Sequence, residues 1–258
     1  MRLHNKVILI TGSTTGIGEA MARRFVAEGA RILVHGREED RGRALVDELQ
    51  GKAALCIDDL ADPDSPPRIV DAAIRAFGKL DALVNNAALV TRSNLANTDA
   101  ALFDRLMAVN VRAPLLMIKA AAPHLKQTQG CVLNIGSVNG HCGEANLLAY
   151  AMTKGALMTM SRNLADALGR ERIRVNHFNV GWVLTPNEYK VKIADGLPPD
   201  WPERVEKKSA PSGQLIKPEE VAAAAVYWIG DESRPVSGSV LELEQYPVIG
   251  RNPPKDVN

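Results

Sequence analysis

The sequence predicts the α/β class: a doubly wound parallel β-sheet with helices on both faces, one domain over residues 1–250, and a loose tail at 251–258. Two observations lead there. Runs of branched residues alternate with stretches of 3.6-residue periodicity, the order of βαβ units. Those runs are apolar almost throughout rather than at every second position, the pattern of strands covered on both faces.

In chain order, strands are expected at Lys6–Thr11 (KVILIT), Arg31–His35 (RILVH), Ala53–Ile57 (AALCI), Asp81–Asn85 (DALVN), Cys131–Ile135 (CVLNI) and Ile173–Phe178 (IRVNHF). A last one is expected in SGSVLEL, Ser237–Leu243. Helices fill the intervals, as in GEAMARRFVAEG (18–29) and PRIVDAAIRAFG (67–78). In KPEEVAAAAVYWIG (217–230), Pro218 suits a first helical turn, and Glu219 and Glu220 suit the positive end of the helix dipole. Residues 185–213 hold five prolines and two glycines and read as a long variable loop with a short helix or two. Loops of that length in compact domains are usually functional or disordered.

The bulk numbers exclude several function classes. With 46% hydrophobic and 24% charged residues and a net charge of +1, the chain reads as soluble, with neither nucleic acid nor a membrane as partner. Cys56, Cys131 and Cys142 have no metal-ligand spacing and are odd in number, so no metal and no disulfide framework is expected, only small buried side chains in a reducing cytosol. The apolar run Val7–Ile10 is too short for a signal sequence or a membrane span. A cytoplasmic location is the resulting expectation.

Directly after the first strand comes TGSTTGIG, with Gly12, Gly16 and Gly18 ahead of a helix. Glycines let backbone turn tightly and approach a phosphate, and the helix N-terminus offers unpaired N–H groups and partial positive charge. The second strand ends VHGRE, with Gly36 and Arg37 where NAD-selective sites carry a carboxylate for the ribose 2′-hydroxyl. A guanidinium without that carboxylate can hold a 2′-phosphate, which favours NADP(H) over NAD(H).

Taken together the motifs resemble the short-chain dehydrogenase/reductase family. TGSTTGIG is similar to its coenzyme turn, Asp59 in DDL to its adenine-contacting acid, and NNAA (Asn85–Ala88) to its N-N-A-G turn, with Ala88 in place of glycine. Asn110 in AVNV, Ser137 in NIGSVNG, and Tyr150 with Lys154 in LLAYAMTKGAL are similar to its catalytic tetrad. The likeness runs to about residue 245 and implies a Rossmann-like fold. The implied coenzyme contacts are Gly12, Ser13, Thr14, Gly16, Ile17, Gly18, Arg37, Asp59, Leu60, Asn86, Ala87, Ala88, Tyr150, Lys154, Gly181, Val183 and Thr185.

The residue types suit hydride transfer between a carbonyl and an alcohol. A developing oxyanion must gain a proton, and an alcohol must lose one. A phenol near pKa 10 needs help to do this at neutral pH, and a lysine at i+4 on the same helical face is expected to lower that value. Ser137 can orient the substrate oxygen. The resemblance implies that Lys154 also holds the nicotinamide ribose and that Asn110 supports a water-linked proton relay.

NVGWVLTP departs from the family's Pro-Gly by carrying Val180, while Gly181 and Thr185 remain. The turn is expected to survive, with its N–H groups facing the coenzyme. The family's Asp-Gly-Gly after the last strand is replaced by LEQYPVIG. His141, Trp182, Tyr189, Lys190, Lys192 and Trp201 are candidate substrate neighbours: an aromatic loop over the nicotinamide, with lysines that could attract an anion. The resemblance implies a homotetramer or homodimer pairing the helices around 100–126 and 149–169. Two rivals stand beside the enzyme reading. One is a coenzyme-binding sensor or scaffold without turnover, which would have no need of Tyr150 beside Lys154. The other is a sugar-nucleotide epimerase or dehydratase, from which a further C-terminal substrate domain is expected.

Overall fold

The branched runs pair side by side because each has apolar side chains for both faces. In the computed structural model, which describes residues 1–207 and 209–245, they form one sheet. The strands are β1 Val7–Ile10, β2 Arg31–Gly36, β3 Ala53–Ile57, β4 Ala82–Asn85, β5 Cys131–Ser137, β6 Arg174–Val180 and β7 Val240–Leu243. Their order is β3-β2-β1-β4-β5-β6-β7, and every pairing is parallel. The order reverses between β1 and β4, where open α/β sheets leave a crevice beyond the carboxyl ends of the strands.

The helices are α1 Gly16–Ala27, α2 Glu39–Glu48, α3 Ser65–Phe77, α4 Ala100–Met107, α5 Ala113–Thr128, α6 Asn139–Cys142, α7 Leu148–Gly169, α8 Pro186–Ala194 and α9 Pro218–Ile229. One face of the sheet packs Ile8, Ile10, Val84, Leu133 and Phe178 against α1 and α9. The other packs Val7, Leu9, Leu83, Val132 and Val175 against α3, α5 and α7. At the start of α9, Glu220 accepts the Lys217 N–H at 2.7 Å, which satisfies a donor that the helix leaves open.

β5 and β6 each run two residues beyond the sequence expectation, because Gly136 and Ser137 still pair with Asn179 and Val180. That extension makes Ser137 the last residue of β5, at the mouth of the crevice. The 185–213 region holds α8 and a short 3-10 turn, Trp201–Arg204. Cys131 is buried, but Cys142 is exposed on α6 rather than buried as expected. The tail at 251–258 lies outside the described residues. Among the described residues no helix is long and apolar enough to cross a membrane.

Candidate active site

A cleft of about 350 Å³ opens along the carboxyl ends of β1, β2, β4, β5 and β6. Its first wall is backbone. Gly12 takes φ +63°, and a Cβ there would lie 2.9 Å from Ala87 Cα. Gly16, at φ +59°, faces Thr185. The N-cap Thr15 makes no side-chain capping bond among the described residues, so the first N–H groups of α1 stay open toward the cleft that Thr15, Gly16 and Ile17 line.

The turn is held from beneath. Thr11 Oγ1 accepts the N–H groups of Asn86 and Ala87, and Asn86 Nδ2 donates to the carbonyls of Thr11 and Gly12. His35, 2% exposed, accepts the Gly12 N–H on Nδ1 at 3.3 Å, and its backbone exchanges bonds with Ser13. Ser13 and Gly18 do not line the cleft. Ser13 Oγ is spent on the Ile10 carbonyl and the His35 N–H. Gly18 is where the helix meets the turn: a Cβ there would sit 2.3 Å from the Gly12 carbonyl.

At the far end the wall is side chains. Ser137, Tyr150 and Lys154 all line the cleft, brought together from the end of β5 and the first turns of α7. Ser137 Oγ accepts the Asn139 N–H at 3.2 Å and bonds the Tyr150 phenol. Lys154 Nζ donates to the Ile135 carbonyl at 2.8 Å and lies 5.5 Å from the Tyr150 ring centroid.

Burial rather than the lysine dominates the phenol: it pushes Tyr150 up to about 12, and the Ser137 bond only pulls part of that back. Glu188 raises it further. The expected lowering by Lys154 is thus not present in the protein alone; burial pushes the ammonium itself down to about 8, which leaves it charged at neutral pH.

Asn110 stands behind the cleft rather than in its wall. It sits in a π-helical turn, Ala108–Arg112, between α4 and α5. Its Oδ1 accepts the Leu89 N–H at 2.8 Å, and its Nδ2 donates to the Leu89 carbonyl and to Thr153.

Arg37, Asp59, Leu60, Asn86, Ala87, Ala88, Gly181, Val183 and Thr185 line the cleft, as do Gly12, Thr14, Gly16 and Ile17. In the turn after β6 the Gly181 N–H is spent on the Leu243 carbonyl at 2.9 Å and continues the sheet, whereas the turn's N–H groups were expected to face the coenzyme. Thr185 Oγ1 caps α8 by accepting the Glu188 N–H.

Sequence reasoning missed His35, Glu38, Asp58, Leu89 and Asn187 as lining residues. Glu38 and Asp58 were legible only as carboxylates near strand ends. In the structure each is neutralised, by Arg41 and by Arg68.

The aromatic loop is not a cover over the cleft. Trp182 stacks on Trp201 with centroids 5.8 Å apart, Tyr189 stacks on Trp201 at 6.4 Å, and Trp201 is buried with Ala210 and Leu215. Lys192 lies over Trp182 and within 3.9 Å of Glu188, and His141 is 3.5 Å from Glu242, so neither is a free cation for an anion.

The cleft fits a dinucleotide. Its narrow glycine wall, the open end of α1 and the exposed Arg37 guanidinium, which has no ion-pair partner among the described residues, suit phosphates and ribose.

The comparisons agree. A sequence-family model described as enoyl-(acyl carrier protein) reductase matches residues 12–244. L-Fucose dehydrogenase of Mus musculus is 35% identical over 88% of this chain and 82% of its own length. The 3-oxoacyl-[acyl-carrier-protein] reductase of Thermotoga maritima is 30% identical over 95% and 98%. The structure of 3-ketoacyl-(acyl-carrier-protein) reductase from Brucella melitensis complexed with NADH superposes with a TM-score of 0.83 at 30% identity, over 96% of this chain and 99% of that one. The chain belongs to the short-chain dehydrogenase/reductase family, a family of NAD(P)-dependent oxidoreductases.

Proposed function

We propose that the protein interconverts a ketone or aldehyde and an alcohol, with Tyr150 as acid and base, and that it prefers NADP(H). The observation that carries this is the convergence of Ser137, Tyr150 and Lys154 at one end of a cleft whose other end is a glycine turn. The coenzyme, when bound, gives or takes the hydride. Gly12, Thr14, Gly16, Ile17, Arg37, Asp59, Leu60, Asn86, Ala87, Ala88, Gly181, Val183 and Thr185 would hold it. Ser13 and Gly18 keep the turn in shape from behind.

Tyr150, protonated at neutral pH because burial favours the neutral phenol, is set to give its proton to a carbonyl oxygen. Ser137, with one lone pair occupied by the Asn139 N–H, directs its hydroxyl toward that same oxygen and the phenol. Lys154, fixed on the Ile135 carbonyl, keeps positive charge beside the ring as phenolate develops. Asn110 holds the Leu89 backbone and Thr153, and so ties the loop after β4 to α7.

The NADP(H) preference is supported by Gly36 and Arg37. A Cβ on residue 36 would come 2.5 Å from Thr14 Cγ2, so a carboxylate on that strand end has no room, and exposed Arg37 has no carboxylate partner among the described residues. Subunit pairing through α5 and α7 is supported by Leu115 and Met152, exposed apolar side chains on those helices.

The test is a panel of ketones and alcohols with both coenzymes, monitored by nicotinamide absorbance. Tyr150→Phe should lower turnover on any active pair by roughly 10²–10⁴-fold, the usual weight of a general acid–base group, with coenzyme affinity nearly unchanged. Near-normal turnover in that variant would remove Tyr150 from its role.

A further inference from the structure

Five buried polar side chains run in an unbroken line beneath the reacting end, and none takes part in the proton chemistry above. Asn85 Nδ2 donates to Asn134 Oδ1 at 2.8 Å, and Asn134 Nδ2 donates to Ser161 Oγ at 2.9 Å. Ser161 Oγ lies 3.0 Å from His177 Nδ1, and His177 Nε2 lies 3.0 Å from Asn179 Oδ1. Asn179 Nδ2 points to Met158 Sδ at 3.5 Å.

Ser161 Oγ also donates to the Leu157 carbonyl at 2.7 Å and accepts from Asn134. With Asn179 Oδ1 as acceptor, His177 carries its proton on Nε2, and Nδ1 shares the one Ser161 hydroxyl proton with the Leu157 carbonyl. Burial pushes the imidazole down to about 4, and the charged groups around it, Lys154 and Arg162 of α7 and His141 of α6, act in the same direction.

His177 occupies the space that a side chain on residue 136 would need. A Cβ on Gly136 would lie 2.0 Å from His177 Nε2 and 2.6 Å from Cε1. Gly136 joins the two residues of β5 that matter at the reacting end: Ile135, whose carbonyl holds Lys154, and Ser137, which bonds Tyr150. Lys154, Met158 and Ser161 are spaced i, i+4, i+7 and share one stripe of α7. That stripe meets β5 through Lys154 at one end and β6 through His177 at the other.

We propose that His177 is a positioning residue: wedged between Gly136 and Ser161, it holds the Ile135–Ser137 segment against α7 so that Ser137 and Lys154 keep station beside Tyr150. The proposal rests on the reading of Ser137, Tyr150 and Lys154 given above. A mere space-filler would not be bonded on both ring nitrogens. An apolar replacement takes the imidazole from Asn179 Oδ1, which must find a new partner by moving, while Ser161 keeps Leu157 and Asn134.

The experiment compares His177→Ala, Gly136→Ala, the double variant and Tyr150→Phe, using the alcohol or ketone that turns over fastest in the panel. It reads kcat, substrate KM, coenzyme Kd and thermal unfolding. His177→Ala should lower kcat roughly ten- to a hundredfold, the scale of loss from ångström-level misplacement, with coenzyme Kd nearly constant. Gly136→Ala should do the same, because its methyl meets the imidazole. The double variant, with the ring gone, should recover part of the kcat lost in Gly136→Ala.

Should His177→Ala fail to fold, His177→Gln, which keeps an N–H for Asn179, carries the same prediction with a smaller loss. An unchanged kcat in whichever His177 variant folds, or a double variant whose losses simply multiply, overturns the proposal. If Tyr150→Phe is inactive while the His177 variants are normal, only the positioning role fails. If Tyr150→Phe is active, the underlying reading fails.

Discussion

At the β1–α1 end of the cleft the walls are backbone, with Gly12, Gly16 and Gly36 set where a side chain would collide or strain. At the β5–α7 end the walls are side chains, Ser137, Tyr150 and Lys154, held by bonds to residues of β5 and α6. The first end works by what is missing and the second by what is held. A turn that depends on space should therefore fail when atoms are added. A site that depends on held groups should fail when atoms are removed.

The largest effect tests the second half of that contrast. Lys154→Ala should cut kcat/KM by roughly 10²–10⁴-fold, because the phenol loses the charge beside it; steady-state rates on the best substrate would check this. Adding one methyl at the other end, Gly18→Ala, should weaken coenzyme binding roughly tenfold or more, about 1.4 kcal/mol per decade, while kcat at saturating coenzyme stays close to normal. Its Cβ would press on the Gly12 carbonyl at 2.3 Å, and coenzyme titration would read the loss.

Arg37→Asp should swing the ratio of NADP to NAD efficiencies by roughly ten- to a hundredfold, the worth of a charged hydrogen bond, and an unmoved ratio would remove Arg37 from coenzyme choice. Trp201→Ala, which empties the stacked core under α8, should raise substrate KM by a few-fold, less than about 1.4 kcal/mol, with coenzyme Kd constant.

Acid should weaken both ends together. His35 and His177 are each pushed down to about 4 by burial, against about 6.5 in the unfolded chain. Between those values the unfolded chain binds protons that the native state refuses, so stability is present above pH 6.5 and is lost as pH falls toward 4. The loss is about 3 kcal/mol per histidine as an order of magnitude. Urea midpoints across that range would show the fall, and His177→Gln should flatten part of it.

The backbone end was the more legible in the sequence. A glycine turn after an apolar strand is local, so TGSTTGIG and the strands on either side could be read from spacing alone. Even there, the division between Gly12 and Gly16, which face the cleft, and Ser13 and Gly18, which support it from behind, depends on which way each residue points in three dimensions. At the other end Tyr150 and Lys154 share a helix turn and were legible for that reason.

His177 was not, because its partners Gly136 and Ser161 lie 41 and 16 residues away and meet only through sheet register and helix packing. Trp182, Tyr189 and Trp201 have the composition of a binding surface. Their stacking on one another comes from the path of α8 and the turn at Trp201–Arg204, which no periodicity records.

The π-helical turn at Ala108–Arg112 has a consequence for how this chain can change. The Asn110 carboxamide gives Leu89 both an acceptor and a donor, so one side chain does for the segment after β4 what a neighbouring strand's peptide group would do. A π turn carries one residue more than the α-helix around it. Deleting a single residue from Ala108–Arg112 would close the wide turn to an ordinary α turn, so that α4 and α5 run on as one regular helix in nearly the same phase and the outward step that carries Asn110 is lost. The carboxamide would leave Leu89, although the glycine turn, Ser137, Tyr150 and Lys154 had all been left in place. A change of length at this turn would leave both helices in place and still undo the contact it holds.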